Sequence, residues 1–274
     1  MREKAPDILF LMEMKQTVDE MSNIQVDLHY DSMLAIPCVR QANGLAMLWK
    51  ARVDLHVQTC SPNHIDAHIM NGSLSPWKLT GFYWRPKEHR KHESWEYLRH
   101  LHSRDSLPWL CLGDYNEILS SDEKQGRVPR SLRRMKEFWS ALLHCRLIDL
   151  GFNGNIFTWR NGRPSIEFVQ ERLVRACANI EWRDLFPHSK VHHLQAAYSN
   201  PDPILLTTEG DPRIVRPSKK PHRLKEHWAS HPACANIIHE VWNGWNPMGS
   251  PMHKLFEKIK IKNAVGHWWS GVEL

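Results

Sequence analysis

The stretch that most constrains this chain is Pro108-Trp109-Leu110-Cys111-Leu112-Gly113-Asp114-Tyr115-Asn116-Glu117-Ile118-Leu119. Leu110 to Leu112 form a short unbroken apolar run, the length of a strand buried on both faces and too short for a helix. The run stops at Gly113, where a backbone can approach a neighbour closely, and Asp114 and Asn116 follow directly. Residues two apart in a strand share a face. A carboxylate and a carboxamide are therefore presented side by side at the carboxyl end of a core strand. That pairing suits phosphodiester chemistry: the carboxylate can orient or activate a water near a metal, and the amide can donate to a phosphate oxygen without adding charge. An Asx turn that merely closes the strand accounts for the same two residues.

Other segments give the strand its company. Ile8-Leu9-Phe10-Leu11-Met12 is a second buried strand, and it also ends in an acid, Glu13. Residues 16–22 are read as one or two helical turns. Gly44 to Trp49 is a core strand, and the alternation at Val53, Leu55 and Val57 and again at Ile65 and Ala67 predicts a half-buried hairpin. Leu79 to Tyr83 completes this group. The spacing predicts helices over 88–102, with Trp95, Leu98 and Leu101 on one face, and over 132–145. The second carries Leu132, Met135, Phe138, Trp139, Leu142 and Leu143. Ile156 to Trp159 reads as a strand before an Asn161-Gly162 type I′ turn, and Glu167 to Asn179 reads as helical. Val191 to Leu194 and Pro203 to Leu206 read as extended. Many strands with few intervening helices make a mixed α/β pattern.

Composition shifts near residue 208. A basic, proline-punctuated linker is expected over 209–222, and a helical, Trp-rich connector over 223–274, with helices near 223–243 and 252–269. The main domain is expected over 1–208. The +6 formal charge leans towards polyanionic partners. The six cysteines lie far apart with no C-x-x-C pair, and read as buried reduced thiols of an intracellular protein. No apolar run approaches the roughly 18 residues of a membrane span, so no membrane partner is expected. The His pairs 64/68, 188/192 and 227/231 lack H-E-x-x-H or finger spacing, and surface histidines account for them better than zinc.

Taken together, these blocks resemble the endonuclease/exonuclease/phosphatase superfamily, and in detail the endonuclease domain of plant LINE-type non-LTR retrotransposons. The resemblance rests on residues 7–15, 44–49, 80–86, 108–119, 157–159, 171–176 and 199–205, in family order. It implies a DNase I-like α/β fold, a two-sheet sandwich flanked by helices, with one Mg²⁺ in a cleft at the strand ends. Glu13 matches the metal-binding glutamate, Asp114 the aspartate that positions the attacking water, Asn116 the asparagine that holds the scissile phosphate, and Tyr83 a phosphate-side tyrosine. Mg²⁺ takes few protein carboxylates and binds phosphate oxygens directly, which fits this set.

The departures are as specific as the matches. Where the family has Ser-Asp-His, this chain has Ser199-Asn200-Pro201; where it has Arg-Leu-Asp-Arg, this chain has Arg172-Leu173-Val174-Arg175. Asn200 carries no charge, Pro201 has neither imidazole nor amide hydrogen, and Val174 is apolar. The family's first strand would precede residue 1. Losing one positioned acid–base group costs about 10²–10⁴-fold in rate, so an impaired, truncated endonuclease domain is expected. Rescue by Asp202, His192 or His193 is disfavoured. A non-catalytic nucleic-acid-binding remnant and a small-substrate phosphoesterase are the alternatives.

Basic residues on either side of the strand (Arg85 to Arg104 and Arg127 to Lys136) are solvated helix faces on their own; the resemblance turns them towards a DNA phosphate backbone. The tail resembles the connector ahead of a reverse transcriptase, a module absent here since no Asp-Asp pair occurs. Such a protein is expected in the nucleus, and the 216–225 cluster reads as an import or nucleic-acid patch or, more simply, a solvated linker.

Overall fold

The structure is a computed structural model that describes residues 6–37, 44–70, 75–84, 91–126, 128–163, 167–194 and 200–208. Contacts divide the chain into two units, Met1–Thr208 and Glu209–Leu274. The expected linker and connector helices lie outside the described residues.

The first half runs β1 (Ile8–Met14), α1 (Val18–Asp27), β2 (Ser32–Ile36), β3 (Gly44–Trp49), β4 (Leu55–Ser61), β5 (His64–Ile69), β6 (Trp77–Tyr83), α2 (Lys91–Ser103) and β7 (Trp109–Asp114). It continues with β8 (Lys124–Gln125), α3 (Leu132–His144), β9 (Ile148–Asp149), β10 (Trp159–Arg160), β11 (Gln170–Glu171), β12 (Val174–Ala178), α4 (Ile180–Leu185), β13 (Lys190–His193) and β14 (Ile204–Thr207).

Two sheets face each other. One has the order β1-β3-β2, and the other β4-β5-β6-β7-β12-β9. In the larger sheet β6 and β7 run parallel and the remaining neighbours antiparallel. Smaller sheets, β10-β11-β8 and β13-β14, complete the described strands. The uniformly apolar strands are those covered on both faces. In β3, Leu45 and Met47 enter the core between the sheets, while Ala46 and Leu48 meet Met21 of α1. In β7, Leu110 and Leu112 face the inter-sheet core, while Trp109 and Cys111 face the helices. The layers are thus α1, three strands, six strands, then α2 and α3. The helix layer is keyed by the Trp95–Phe138 stack, centroids 4.6 Å apart. This is the two-sheet α/β sandwich flanked by helices.

Local chemistry sets the elements. Thr17 and Glu20 form a reciprocal capping box, Thr17 N–H donating to Glu20 Oε2 at 2.7 Å, and α1 runs to Asp27, beyond the expected residue 22. Gly81 lies under the Phe10 ring: a Cβ there would sit 2.5 Å from the ring carbons. Only glycine lets β1 and β6 approach this closely.

Several expectations fail. Residues 167–179 are not helical; they supply β11 and β12, and β12 is a fully buried strand between β7 and β9. Arg175, its charged residue, is buried in ion pairs with Glu123 and Asp149. The strand expected over 156–159 shortens to Trp159–Arg160, because Thr158 turns its hydroxyl into the β12 backbone. Asn161-Gly162 is not a two-residue hairpin turn: the β10–β11 ladder closes at Arg160 and Gln170, and only Gly162 of the two has positive φ. The α3 stripe divides, since Met135, Phe138 and Leu142 are buried while Leu132, Trp139 and Leu143 are exposed. Among the cysteines, Cys111, Cys145 and Cys177 are buried free thiols, but Cys60 is exposed.

Candidate functional site

Three adjacent strands of the larger sheet end in register. Tyr83 of β6 pairs with Asp114 of β7, and Asp114 pairs with Val174 of β12. Directly opposed residues share a face, so Tyr83, Asp114 and Val174 stand in one row. Gly113 makes the approach possible: its φ is +142° and a Cβ would lie 1.8 Å from the Phe82 carbonyl oxygen.

Glu13 reaches this row from the other sheet by an irregularity in β1. The register with β3 shifts between Leu11 and Met14, and Glu13 takes a left-handed φ of +57°. Phe10 and Met12 face the inter-sheet core, as alternation requires, while Leu9 and Leu11 face α1. After the bulge Met14 falls on the α1 side, which leaves Glu13 turned towards the second sheet. There its Oε1 accepts the Tyr83 hydroxyl at 2.7 Å.

Asp114 is closed in from every side. Its Oδ1 accepts the Asn116 backbone N–H at 2.7 Å, the Asx turn anticipated from the sequence. Asn116 itself has φ +51°, and its Nδ2 donates to the Trp84 carbonyl at 2.7 Å. Lys91, at the start of α2, donates to the Asn116 carbonyl and to Glu117 Oε2, both at 2.7 Å. Burial pushes the Asp114 carboxyl up to about 7; the Glu13 charge adds to the rise, against the pull of the Asn116 amide, Lys91 and Arg175. Burial, and then the bond to Glu13, raises the Tyr83 hydroxyl, so it remains a donor.

Glu13, Tyr83, Asp114 and Asn116 are therefore one connected group. Among the described residues, no group of three or more His, Cys, Asp or Glu is assembled that could hold a metal ion.

The profile of the Endonuclease/Exonuclease/phosphatase family matches residues 1–168. The chain belongs to this family. Among solved structures it is similar to the endonuclease domain of TRAS1, a telomere-specific non-LTR retrotransposon, at 12% identity over 73% of this chain and 97% of that one, TM-score 0.52. It is similar also to the 3′ phosphatase NExo from Neisseria bound to product DNA hairpin, at 17% identity over 75% and 89%, TM-score 0.56. An AP endonuclease from Archaeoglobus fulgidus aligns at 14% identity over 75% and 90%, TM-score 0.56. Identities this low express a shared fold. No curated protein sequence matches the chain.

Beyond Val174, a set of bonded neighbours runs through Thr158 and Arg160. Thr158 Oγ1 accepts the N–H groups of Leu173 and Val174 at 2.9 and 3.0 Å, and its carbonyl accepts Asp202 N–H at 2.6 Å. Asn200 bonds reciprocally to the Arg160 backbone, Oδ1 accepting N–H at 3.2 Å and Nδ2 donating to the carbonyl at 2.6 Å. Asp202 Oδ2 accepts Arg160 Nη1 at 2.7 Å. Pro201 lies between these two anchors. His193 is turned to the Asn155 carbonyl and stacks on Phe152; burial lowers its pKa to about 4.

Sequence reasoning missed the largest polar feature near the site. Arg172 and Arg175, both fully buried, enclose Asp149 and Glu123. Arg172 grips Asp149 with Nη1 and Nη2 at 2.7 and 2.8 Å, and Arg175 Nη1 reaches it at 2.8 Å. The Arg charges hold both acids below the usual carboxylate range against their burial. Two arginines three residues apart in an otherwise apolar strand were the available signal. His64, weighed for zinc, is buried on β5 among the Ser61, Thr59 and Tyr97 hydroxyls.

Proposed function

We propose that the chain is a DNA-nicking, Mg²⁺-dependent endonuclease domain of a plant LINE-type non-LTR retrotransposon, with impaired catalysis. The observation that carries this reading is the connected group of Glu13, Tyr83, Asp114 and Asn116 at the end of the larger sheet. A Glu13 carboxylate oriented by the Tyr83 hydroxyl, with Asp114 on the paired strand, fits Mg²⁺, which binds through one or two carboxylates and keeps waters and phosphate oxygens as its other ligands. Glu13 would hold the ion. When bound, it neutralises charge on the phosphate.

The chain's own residues do the rest. Tyr83 orients the Glu13 carboxylate. Asp114, ionised above about pH 7 in its buried seat, accepts a proton from the attacking water. Asn116 presents its amide to a phosphate oxygen while its backbone N–H holds Asp114. Val174, Asn200 and Pro201 supply no acid or base on the facing wall, and Asp202 is engaged with Arg160. The leaving oxygen lacks the stabilisation a histidine and its partner acid would give. The substrate class is supported by the similar structures, a retrotransposon endonuclease and a phosphatase bound to product DNA hairpin. A reverse transcriptase module is the partner such a domain would serve, in the nucleus. Among the described residues no helix is long and apolar enough to cross a membrane.

A plasmid-nicking assay with Mg²⁺, run beside Asp114→Ala, tests this reading. Nicking about 10²–10⁴-fold below an intact family member is expected from one lost acid–base group, and none from the variant. Wild-type nicking at full rate would remove the impairment; equal nicking by both proteins would remove the site.

A second reading, a non-catalytic nucleic-acid-binding remnant, is favoured by Arg133 on α3, 86% exposed in its side chain and paired, among the described residues, only at Nε with Glu137. Binding that falls steeply with salt and yields no cut strand would select it.

A further inference from the structure

The segment of Asn200 and Pro201 is not devoid of charge, as its sequence suggests. Arg160 stands where Asn200 and Pro201 were expected to leave it neutral. Its backbone is fastened by both ends of the Asn200 carboxamide. The inner edge of its guanidinium is fastened by Asp202. The two side chains differ in exposure: 6% for Asp202 and 33% for Arg160. The carboxylate is therefore inside and the guanidinium bridges from it to solvent. Among the described residues, its contact with Asp202 engages Nη1 and leaves the other N–H groups of the fork open.

The position follows from a short relay of bonded neighbours. Asp114 pairs with Val174, Val174 N–H donates to Thr158 Oγ1, and Thr158 O accepts Asp202 N–H. The pair thus sits one backbone layer beyond the row of Tyr83, Asp114 and Val174. An arginine pinned by a buried carboxylate loses little freedom on binding an anion, and its planar fork matches phosphate geometry.

We propose that Arg160, braced by Asp202, is a phosphate-binding residue that takes an oxygen of a nucleic-acid backbone on its outward edge. The inference rests on the nucleic-acid reading above and names a contact within it. It also gives the Asn200 and Asp202 side chains a role as positioning residues, acting through Arg160.

The test is fluorescence anisotropy of a labelled DNA duplex with the full chain in EDTA, where cutting does not enter, over a series of salt concentrations. Arg160→Gln is expected to weaken binding several-fold and to lower the slope of log K against log salt by about 0.9, one phosphate contact. Asp202→Asn should weaken binding less, since the guanidinium stays but is unbraced. Arg163→Gln, an exposed neighbour paired with Glu167, should leave the slope unchanged. If Arg160→Gln fails to fold by thermal melting, the double variant Arg160→Gln/Asp202→Asn, which removes both charges of this pair, is read in the same way. A folded variant with wild-type affinity and slope overturns the role of Arg160 and leaves DNA binding intact. Absence of salt-dependent binding by the wild type overturns both.

Discussion

Val174 stands directly opposite Asp114 across the β7–β12 ladder, an apolar side chain beside the most enclosed carboxyl of the site. Burial is the leading cause of its rise from 3.8 to about 7. The folded state therefore takes up a proton that the unfolded chain has lost. Stability attributable to this group falls as pH rises from about 4 and levels off above about 7. With roughly 3 units of difference at about 1.4 kcal/mol each, the cost at pH 8 is on the order of 4 kcal/mol. Asp114→Asn is expected to be the more stable protein at pH 8 without divalent ions, with the difference shrinking towards pH 4. Urea unfolding across that range checks it; a difference independent of pH would show an ordinary carboxyl.

The Arg172, Arg175, Asp149 and Glu123 group has the opposite dependence. The folded pKa values of both acids lie below their unfolded ones. Their contribution is complete above the ordinary carboxylate range and is lost as pH falls through the folded values. Asp149→Asn or Arg172→Met leaves buried charge without its partner and is expected to cost about 3–5 kcal/mol. The loss should be full at neutral pH and should narrow in acid for the Asp149 variant. Chemical denaturation at pH 7 and pH 3.5 measures it, and a loss under 1 kcal/mol would mean the group is solvated.

Two glycines separate space from backbone geometry. Gly113 has both a positive φ and the Phe82 carbonyl in the place of a Cβ, whereas Gly162 has φ +65° and nothing within 4 Å. Gly162→Ala is expected to cost about 1–2 kcal/mol for the left-handed conformation alone. Gly113→Ala must also part β6 from β7, and should abolish soluble folded protein. Soluble yield and thermal melts of both variants decide it; a stable Gly113→Ala protein would mean the two strands can separate without loss of the fold.

What was legible in the sequence was whatever the apolar pattern determines locally. β1, β3 and β7 are runs of apolar residues because they are covered on both faces, and Asp114-x-Asn116 was visible as a strand end. β12 was hidden because Arg172 and Arg175 look like a solvated face until Asp149 and Glu123, distant in sequence, are brought to them. The Glu13 carboxylate was anticipated at a strand end, but the bulge that turns it to Tyr83 leaves no mark on the alternation that precedes it. The neutral wall inferred from Asn200 and Pro201 omitted Arg160 because its partner, Asp202, lies 42 residues away. Long-range charge pairing carries no periodic signal.

The Tyr83 hydroxyl bond to Glu13 separates holding a metal from merely being near one. Glu13 lies on an exposed bulge, and Tyr83 is the buried group that fixes the direction of its carboxylate. Ligand bound only to the folded state stabilises it by RT ln(1 + [L]/Kd), about 1.4 kcal/mol at ten times Kd. Millimolar Mg²⁺ at pH 8 should therefore raise the unfolding midpoint of the wild type, by more than it does at pH 5, where Asp114 holds its proton. Glu13→Gln is expected to abolish the shift. Tyr83→Phe keeps the carboxylate but frees its orientation, and should shift the Mg²⁺ dependence to about tenfold higher concentration, the scale of losing a partner that orients a ligand. Thermal melts of the three proteins over a Mg²⁺ titration give all three numbers. An equal shift in Glu13→Gln would place the ion elsewhere, and an unchanged Tyr83→Phe titration would reduce Tyr83 to a packing residue.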